Sequence, residues 1–417
     1  MSVAALFALM FAFFAAKQAD DYFNVIFILV DDMGYGNIGA YGNSYHETPN
    51  IDRLAAMGMR FTNAYAAAPN CSPTRASLLT GKWPARLHLT QYLPGNSERL
   101  RYTKLIQPDL PEGLPLEEMT IAEILGALGY ATASIGKWHL GGGRFLPEHH
   151  GFDLNFGGGP QGHHSSMFAP YEVPDISDAA PGEYLTDRLT REAERFMEAN
   201  RERPFFLYLP LYAVHSPIQG KEDLIEKYEA ESNPGPNSDP VYAAMVEGVD
   251  QSVGRILIKL RELEIDDRTV LFFFSDNGGV RRLGASNGPL RQGKSWLYEG
   301  GIREPLIIYW PGVTPTGGVS HTPVSSVDFY STILEIVGVS GTVFGRSDGL
   351  SLVPPLRGGG SLERRTLYWH YPHYSNAGSP PCGAIREGDY KLIEFFEDGN
   401  VELYNLAEDM GETRNLF

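Results

Sequence analysis

Five short runs, nearly apolar throughout, constrain this chain more than anything else in it: Val25 to Val30, Tyr130 to Ile135, Phe205 to Leu211, Val270 to Phe274 and Leu306 to Trp310. A strand covered on one face alternates polar and apolar residues, and one covered on both faces loses that alternation. The runs therefore read as fully buried strands of a mostly parallel sheet. Helical patterns lie between them. Thr120-Ile121-Ala122-Glu123 is a capping box, Ile121, Ile124, Leu125 and Leu128 share one face, and Gly129 ends the segment. Pro49 follows Thr48 before the run to Gly58, and Val241 to Leu263 carries a longer helical pattern. Alternating strands and helices predict an α/β core with helices on both faces of the central sheet.

The character changes after about Pro311. Gly383 to Arg386, Tyr390 to Phe396 and Val401 to Asn405 are short strand patterns separated by the turn-like Glu387-Gly388-Asp389 and Glu397-Asp398-Gly399-Asn400. They predict an antiparallel meander, hence a main domain over 20–310 and a smaller C-terminal subdomain over 311–417. With 417 residues, 43% of them hydrophobic, the chain is long enough for both.

Asp and Glu number 51 against 34 Lys and Arg, a formal charge of −17. Such a field repels nucleic acid and anionic membrane, so neither is an expected partner, and an anionic substrate needs a locally cationic pocket. Cys71 and Cys382 are the only cysteines, too few for a disulfide framework. Val3 to Ala16 has the length of a signal-peptide core, which marks 1–19 as a leader and the mature chain as periplasmic or secreted. The leader is atypical: it lacks an early Lys or Arg and a clean small-x-small cleavage site. No later segment reads as a membrane span.

In an open α/β sheet, ligands gather beyond the carboxyl ends of the strands. Four of the five runs end in polar residues. Asp31 and Asp32 follow the first, Lys137 and His139 the second, His215 the third, and Asp276 and Asn277 the fourth. Each pair alone is a good turn sequence. Together, three carboxylates and an amide form an all-oxygen set suited to Ca²⁺ or Mg²⁺ rather than Zn²⁺. Pro73 fits the first turn of a helix with Ser72 as its cap, and Arg75 lies four residues beyond Cys71, on the same face. A cysteine there feels the helix dipole and a guanidinium, both of which favour a reactive centre. The competing reading is a small buried apolar residue.

Cys71-Ser72-Pro73-Thr74-Arg75-Ala76-Ser77-Leu78-Leu79-Thr80-Gly81 resembles the signature of the type I sulfatases, formylglycine-dependent members of the alkaline-phosphatase superfamily. Asn24 to Gly34, Thr48-Pro49-Asn50-Ile51-Asp52, Gly136-Lys137-Trp138-His139-Leu140-Gly141, Ser275-Asp276-Asn277-Gly278-Gly279, and Gly293-Lys294 with Tyr298 to Arg303 resemble further blocks of that family, in order. The resemblance runs from Asn24 to Phe417. It implies an alkaline-phosphatase-like fold and oxidation of Cys71 by a separate maturation enzyme to formylglycine (3-oxoalanine), whose hydrate is a geminal diol. It further implies that Asp31, Asp32, Asp276, Asn277 and the modified Cys71 hold Ca²⁺ or Mg²⁺. Arg75 and Lys137 would stabilise diol and sulfate, and His139 would act as base. His215 or Lys294 would protonate the leaving oxygen. One hydroxyl attacks sulfur and the other then expels sulfate. General acid or base assistance supplies about 10²- to 10⁴-fold, far short of the roughly 10¹⁷-fold such ester hydrolyses demand, so preorganised charge must carry the larger share.

Pro160-Gln161-Gly162-His163-His164-Ser165-Ser166 and Tyr368-Trp369-His370-Tyr371-Pro372-His373-Tyr374 combine rings and imidazoles suited to a sugar, which makes His163, His164, Ser165, His370 and His373 candidate substrate contacts. They serve equally well to pack one domain on the other. The latter segment and Ala384 to Lys391 resemble bacterial polysaccharide sulfatases, and that resemblance implies a galactose or N-acetylgalactosamine 4-O-sulfate. Family members commonly continue past Leu403-Tyr404-Asn405-Leu406 with a terminal helix, whereas this chain stops at Phe417. A phosphate or phosphonate ester hydrolase of the same superfamily, and a non-catalytic sulfated-glycan binder, are the alternative readings.

Overall fold

The computed structural model describes residues 22–95, 103–173, 176–231, 238–339, 347–359, 362 and 366–417; the segment 1–19 expected to be a leader lies outside them. Its strands are β1 (Asn24–Val30), β2 (Met59–Phe61), β3 (Ala64–Tyr65), β4 (Ala131–Ile135), β5 (Leu154–Phe156), β6 (Phe205–Pro210), β7 (Thr269–Ser275), β8 (Leu306–Tyr309), β9 (Gly318–Ser320), β10 (Val324–Ser325), β11 (Thr366–Tyr371), β12 (Cys382–Glu387), β13 (Tyr390–Phe395) and β14 (Asn400–Asn405). The principal helices are α1 (Pro49–Met57), α2 (Cys71–Thr80), α3 (Ile121–Ala127), α4 (Leu185–Ala199), α5 (Glu222–Glu229), α6 (Pro240–Glu262) and α7 (Asp328–Ile336).

All five apolar runs are strands of one eight-stranded sheet, ordered β5-β4-β6-β1-β7-β8-β2-β9. β8 alone runs against its neighbours β7 and β2. Burial on both sides explains the unbroken hydrophobicity of β1. Val25, Phe27 and Leu29 join one core with side chains of α2, α3 and α7, while Ile26, Ile28 and Val30 join another with α1, α4 and α6. The capping box of α3 is present, Thr120 accepting from the Glu123 N–H and Glu123 accepting from the Thr120 N–H.

The chain after Trp310 does not leave this layer at once. β9 pairs with β2 at the sheet edge, and α7 packs into the α2–α3 core. The separate antiparallel meander, β11-β12-β13-β14, begins at Thr366. A division at 310/311 would therefore cut off material belonging to the large sheet. The small sheet docks through Leu367, Trp369, Tyr371 and Ile393 onto Tyr65, Leu297, Tyr298 and Ile302. Its Trp369 indole donates to the Ala66 carbonyl at 2.9 Å, and Asn70, the residue before Cys71, donates to the Tyr371 hydroxyl at 3.0 Å. The C-terminal sheet thus braces the start of α2.

Candidate active site

The four polar strand ends converge. Main-chain bonds hold them in register: Asp31 N–H to Ala213 C=O at 3.0 Å, Lys137 N–H to Pro210 C=O at 2.7 Å and Asp276 N–H to Val30 C=O at 3.1 Å. Asp31, Asp32, Cys71 and Asp276 each bring a donor atom within 4.8 Å of the others, and all four are buried. Asp32 and His139 both sit in the left-handed region, at φ 59 and φ 58. For side-chain-bearing residues that conformation costs about 1–2 kcal/mol each, tolerated here where it aims a carboxylate and an imidazole.

Cys71 is the first residue of α2, and Asn70 occupies the cap position without a side-chain cap bond. Ser72 is not the cap. Its hydroxyl donates to the His139 carbonyl at 2.7 Å and accepts from the Leu93 N–H at 3.0 Å, while His139 Nε2 lies 2.8 Å from the Leu93 carbonyl. A carbonyl only accepts, so Nε2 carries the hydrogen and Nδ1, buried and without a partner among the described residues, holds the free lone pair. Gly162 presses on this ring: a Cβ there would meet His139 Cε1 at 2.5 Å. Burial first, then Lys137, holds His139 well below the ordinary imidazole range.

The guanidinium expected beside Cys71 is committed elsewhere. Arg75 reaches Asp276 Oδ2 through Nε at 2.9 Å and through a terminal nitrogen at 2.7 Å, and donates to the Lys137 carbonyl at 2.7 Å. Lys137 Nζ lies 2.5 Å from Asp31 Oδ2. Lys294 Nζ lies 2.6 Å from Asp32 Oδ1 and 3.4 Å from Cys71 Sγ. Burial pushes the Cys71 thiol up to about 12, the two lysines opposing and the carboxylates of Asp276 and Asp31 adding to it. Burial thus outweighs the pull of Lys137 and Lys294 on this thiol. Burial would raise Asp32 too, but Lys294, with His215 and Lys137, draws it down to about 2. Asp276 moves up, through burial and the neighbouring Asp31, against Arg75.

This donor set fits a hard divalent cation. Three buried carboxylates crowd one point, and the Asn277 side-chain oxygen is buried without a partner among the described residues while its nitrogen donates to Asp32 Oδ1 at 2.7 Å. An oxygen left bare beside three carboxylates is costly unless a cation meets it.

A cavity of about 510 Å³ opens over the cluster, lined by Cys71, His139, His163, His215 and Lys294 with Tyr92 and Leu93. His215 Nδ1 lies 2.8 Å from the Ser216 carbonyl and its Nε2 3.7 Å from Asp32 Oδ2. Of the substrate-contact candidates, His163 reaches the cavity wall, its ring 6.0 Å from that of His215. The others turn away. His164 is buried against Tyr212 at 4.3 Å, and Ser165 bonds the exposed Glu172. His370 points out from β11 over Phe396, and His373 is buried against Thr90 at 2.8 Å. Tyr92, Leu93 and Ser72 escaped the sequence reading, since a loop residue and a presumed cap carry no signal of convergence.

The sulfatase family model matches residues 23–339, and the model of the N-sulphoglucosamine sulphohydrolase C-terminal region matches 292–417. Human N-acetylgalactosamine-6-sulfatase is 36% identical over 373 residues, covering 83% of this chain and 68% of its own. Bovine arylsulfatase A is 33% identical, covering 99% of this chain and 87% of its own. The crystal structure of Ps i-CgsB in complex with k-i-k-neocarrahexaose superposes with a TM-score of 0.80 at 30% identity, over 95% of this chain and 88% of that one. The family signature, the fold and the converging strand ends agree: the chain belongs to the sulfatase family of sulfuric ester hydrolases.

Proposed function

We propose that this chain removes sulfate from sulfated carbohydrate through a formylglycine made from Cys71, with galactose or N-acetylgalactosamine as the sugar. One observation carries the catalytic part: Cys71 Sγ lines the cavity within the buried carboxylate cluster, 3.5 Å from Asp31 Oδ1 and 3.4 Å from Lys294 Nζ. Hydrated formylglycine at this position supplies two oxygens on one carbon, one to attack sulfur and one to release sulfate. Asp31, Asp32, Asp276 and Asn277 would hold Ca²⁺, or Mg²⁺, which supplies a positive charge for a sulfate oxygen. His139 offers its bare Nδ1 as proton acceptor, its orientation held by Leu93 and Ser72. Arg75 and Lys137 keep the carboxylates fixed and counter their charge. Lys294 and His215 stand at the open side, where a leaving alcohol collects its proton.

The names of the relatives, N-acetylgalactosamine-6-sulfatase and a complex with a neocarrahexaose, support the sugar class. The sequence resemblance favours the 4-O position and the first of those names the 6-position. Sulfate release from 4-O- and 6-O-sulfated galactose and N-acetylgalactosamine, by protein co-produced with a formylglycine-generating enzyme and with Cys71→Ala as control, decides between them. Faster turnover of matched phosphate esters would overturn the reading. The apolar run Val3 to Ala16 supports an exported protein, which fractionation of the producing cell tests. Among the described residues no helix is long and apolar enough to cross a membrane.

A further inference from the structure

A second groove, of about 440 Å³, adjoins the catalytic cavity and shares Tyr92, His215 and Lys294 with it. Arg281 and Arg282 line it, on a 3₁₀ turn only a few residues past Asp276 and Asn277. That turn is tied down. Leu283 N–H bonds the Val280 carbonyl and Gly284 N–H the Arg281 carbonyl, and Asn287 anchors the preceding Gly279 through bonds of 2.9 and 3.0 Å. Gly284 closes the turn at φ +100, against Tyr242.

We propose that this groove is a second anion subsite, in which Arg281 and Arg282 engage a sulfate or carboxylate on the sugar next to the one being desulfated. The inference rests on the carbohydrate-sulfatase reading above. Both guanidiniums are exposed, and neither pairs with a carboxylate among the described residues. Of the other exposed arginines, Arg86, Arg144, Arg195 and Arg201 pair with Asp348, Glu112, Glu192 and Glu202, whereas Arg53, Arg261 and Arg357 stand singly without an ion pair among the described residues; Arg281 and Arg282 differ in being adjacent and in lining one groove. With 51 acidic against 34 basic residues, two adjacent unpaired arginines facing one groove are a local reversal of the overall field. Guanidinium matches sulfate and carboxylate through paired N–H donors. Other residues lining the groove suit a sugar ring. The half-buried Trp296 is stacked on Tyr298 at 5.7 Å and pinned by its Nε1 to the Ala377 carbonyl at 3.3 Å, and Asn376 adds polar atoms beside it. A monosaccharide sulfate fills the first cavity alone, whereas an anionic oligosaccharide spans both.

The test compares disaccharides whose scissile sulfate is constant and whose neighbouring sugar bears a sulfate, a carboxylate or neither. In matured protein, Arg281→Ala with Arg282→Ala should lower the kcat/KM preference for the anionic disaccharides roughly tenfold, mainly through KM. The paired lysine replacements should restore part of it. Arg195→Ala with Arg201→Ala removes the same charge beside the amino end of β6 and should leave the preference intact. The relative effect on the sulfate and carboxylate arms identifies which anion the subsite takes. An unchanged preference in the Arg281/Arg282 variant, or an equal fall in the control, overturns the proposal. Calorimetric binding of the same disaccharides to Cys71→Ala protein reads the subsite without turnover. Arginine-dependent binding with no sulfate release by the matured enzyme would sink the sulfatase reading and leave the subsite standing.

Discussion

The ammonium of Lys294 stands 3.4 Å from Cys71 Sγ while also lying 2.6 Å from Asp32 Oδ1, so one side chain links the nucleophile position to the carboxylate cluster. Removing it by Lys294→Ala should lower kcat by about 10²- to 10³-fold, the range found when one preorganised donor is lost from a low-dielectric site. Lys294→Arg should not restore it, since a planar fork cannot replace a point charge held between sulfur and carboxylate. His215 competes for the role of proton donor. Rates for a series of aryl sulfates separate them: the variant lacking the true donor becomes steeply dependent on leaving-group acidity, and the other keeps the wild-type slope.

Asn277 provides a test of the cation site that does not depend on turnover. Its oxygen is buried beside Asp31, Asp32 and Asp276 without a partner among the described residues. A ligand that binds only the folded state stabilises it by about 2.7 kcal/mol at a hundredfold excess over Kd. Chelator treatment should therefore lower the melting temperature, and Ca²⁺ or Mg²⁺ should restore it saturably. Asn277→Ala should shift that restoration to at least roughly tenfold higher cation. A melting temperature indifferent to chelator and cation would remove the metal from the account.

Much of this site is written in local sequence. An apolar run that stops at Asp31-Asp32 or at Asp276-Asn277 declares both a buried strand and its polar end, because side-chain alternation and turn chemistry act over a few residues. Direction and facing are different matters. Nothing within the four residues of β8 says that it runs antiparallel, since that follows from its neighbours β7 and β2. His370 and His373 read as sugar contacts, yet β11 alternates with Trp369 and Tyr371 inward and His370 outward, and His373 is spent on Thr90. Ser72 had the composition of a cap and the position of a brace for His139. Arg281 and Arg282 look like any turn arginines until the groove beside Lys294 is seen.

Lys391 is the hinge of the small sheet's docking in an energetic sense. It is fully buried on β13 and lies 2.9 Å from both Glu299 Oε1 and Glu412 Oε1, and Tyr65 and Arg303 bind the other oxygen of Glu299. Lys391→Met leaves two carboxylates without their shared cation. Breaking a buried pair in this way costs about 3–5 kcal/mol. Urea unfolding should show that loss, and adding Glu412→Gln should recover part of it, because burial and the nearby Glu299 already push Glu412 up towards its neutral form. If the double variant is no more stable than the single one, the cluster is not coupled as its geometry requires.

His150 ties stability to pH through a ring packed on Trp138. The side chain is buried, its ring 5.6 Å from that of Trp138, and neither ring nitrogen has a partner among the described residues. Burial, with a smaller contribution from His149, lowers it from 6.5 to about 4. As pH falls through 6.5 the unfolded chain takes up a proton that the folded protein refuses until near 4, so the unfolded state binds more protons across that window. Stability is therefore complete above pH 6.5, declines as pH falls towards 4, and levels off below it. The loss is at most about 3.5 kcal/mol, since each tenfold weakening of proton binding in the folded protein corresponds to roughly 1.4 kcal/mol. His164 and His373, each lowered by burial to about 4, add losses of the same sign over the same interval. His150→Phe should flatten the decline without abolishing it, whatever the variant's stability at neutral pH. Urea midpoints measured between about pH 7 and pH 4 give both curves, and parallel curves would show that His150 is not one of the groups that titrate on unfolding.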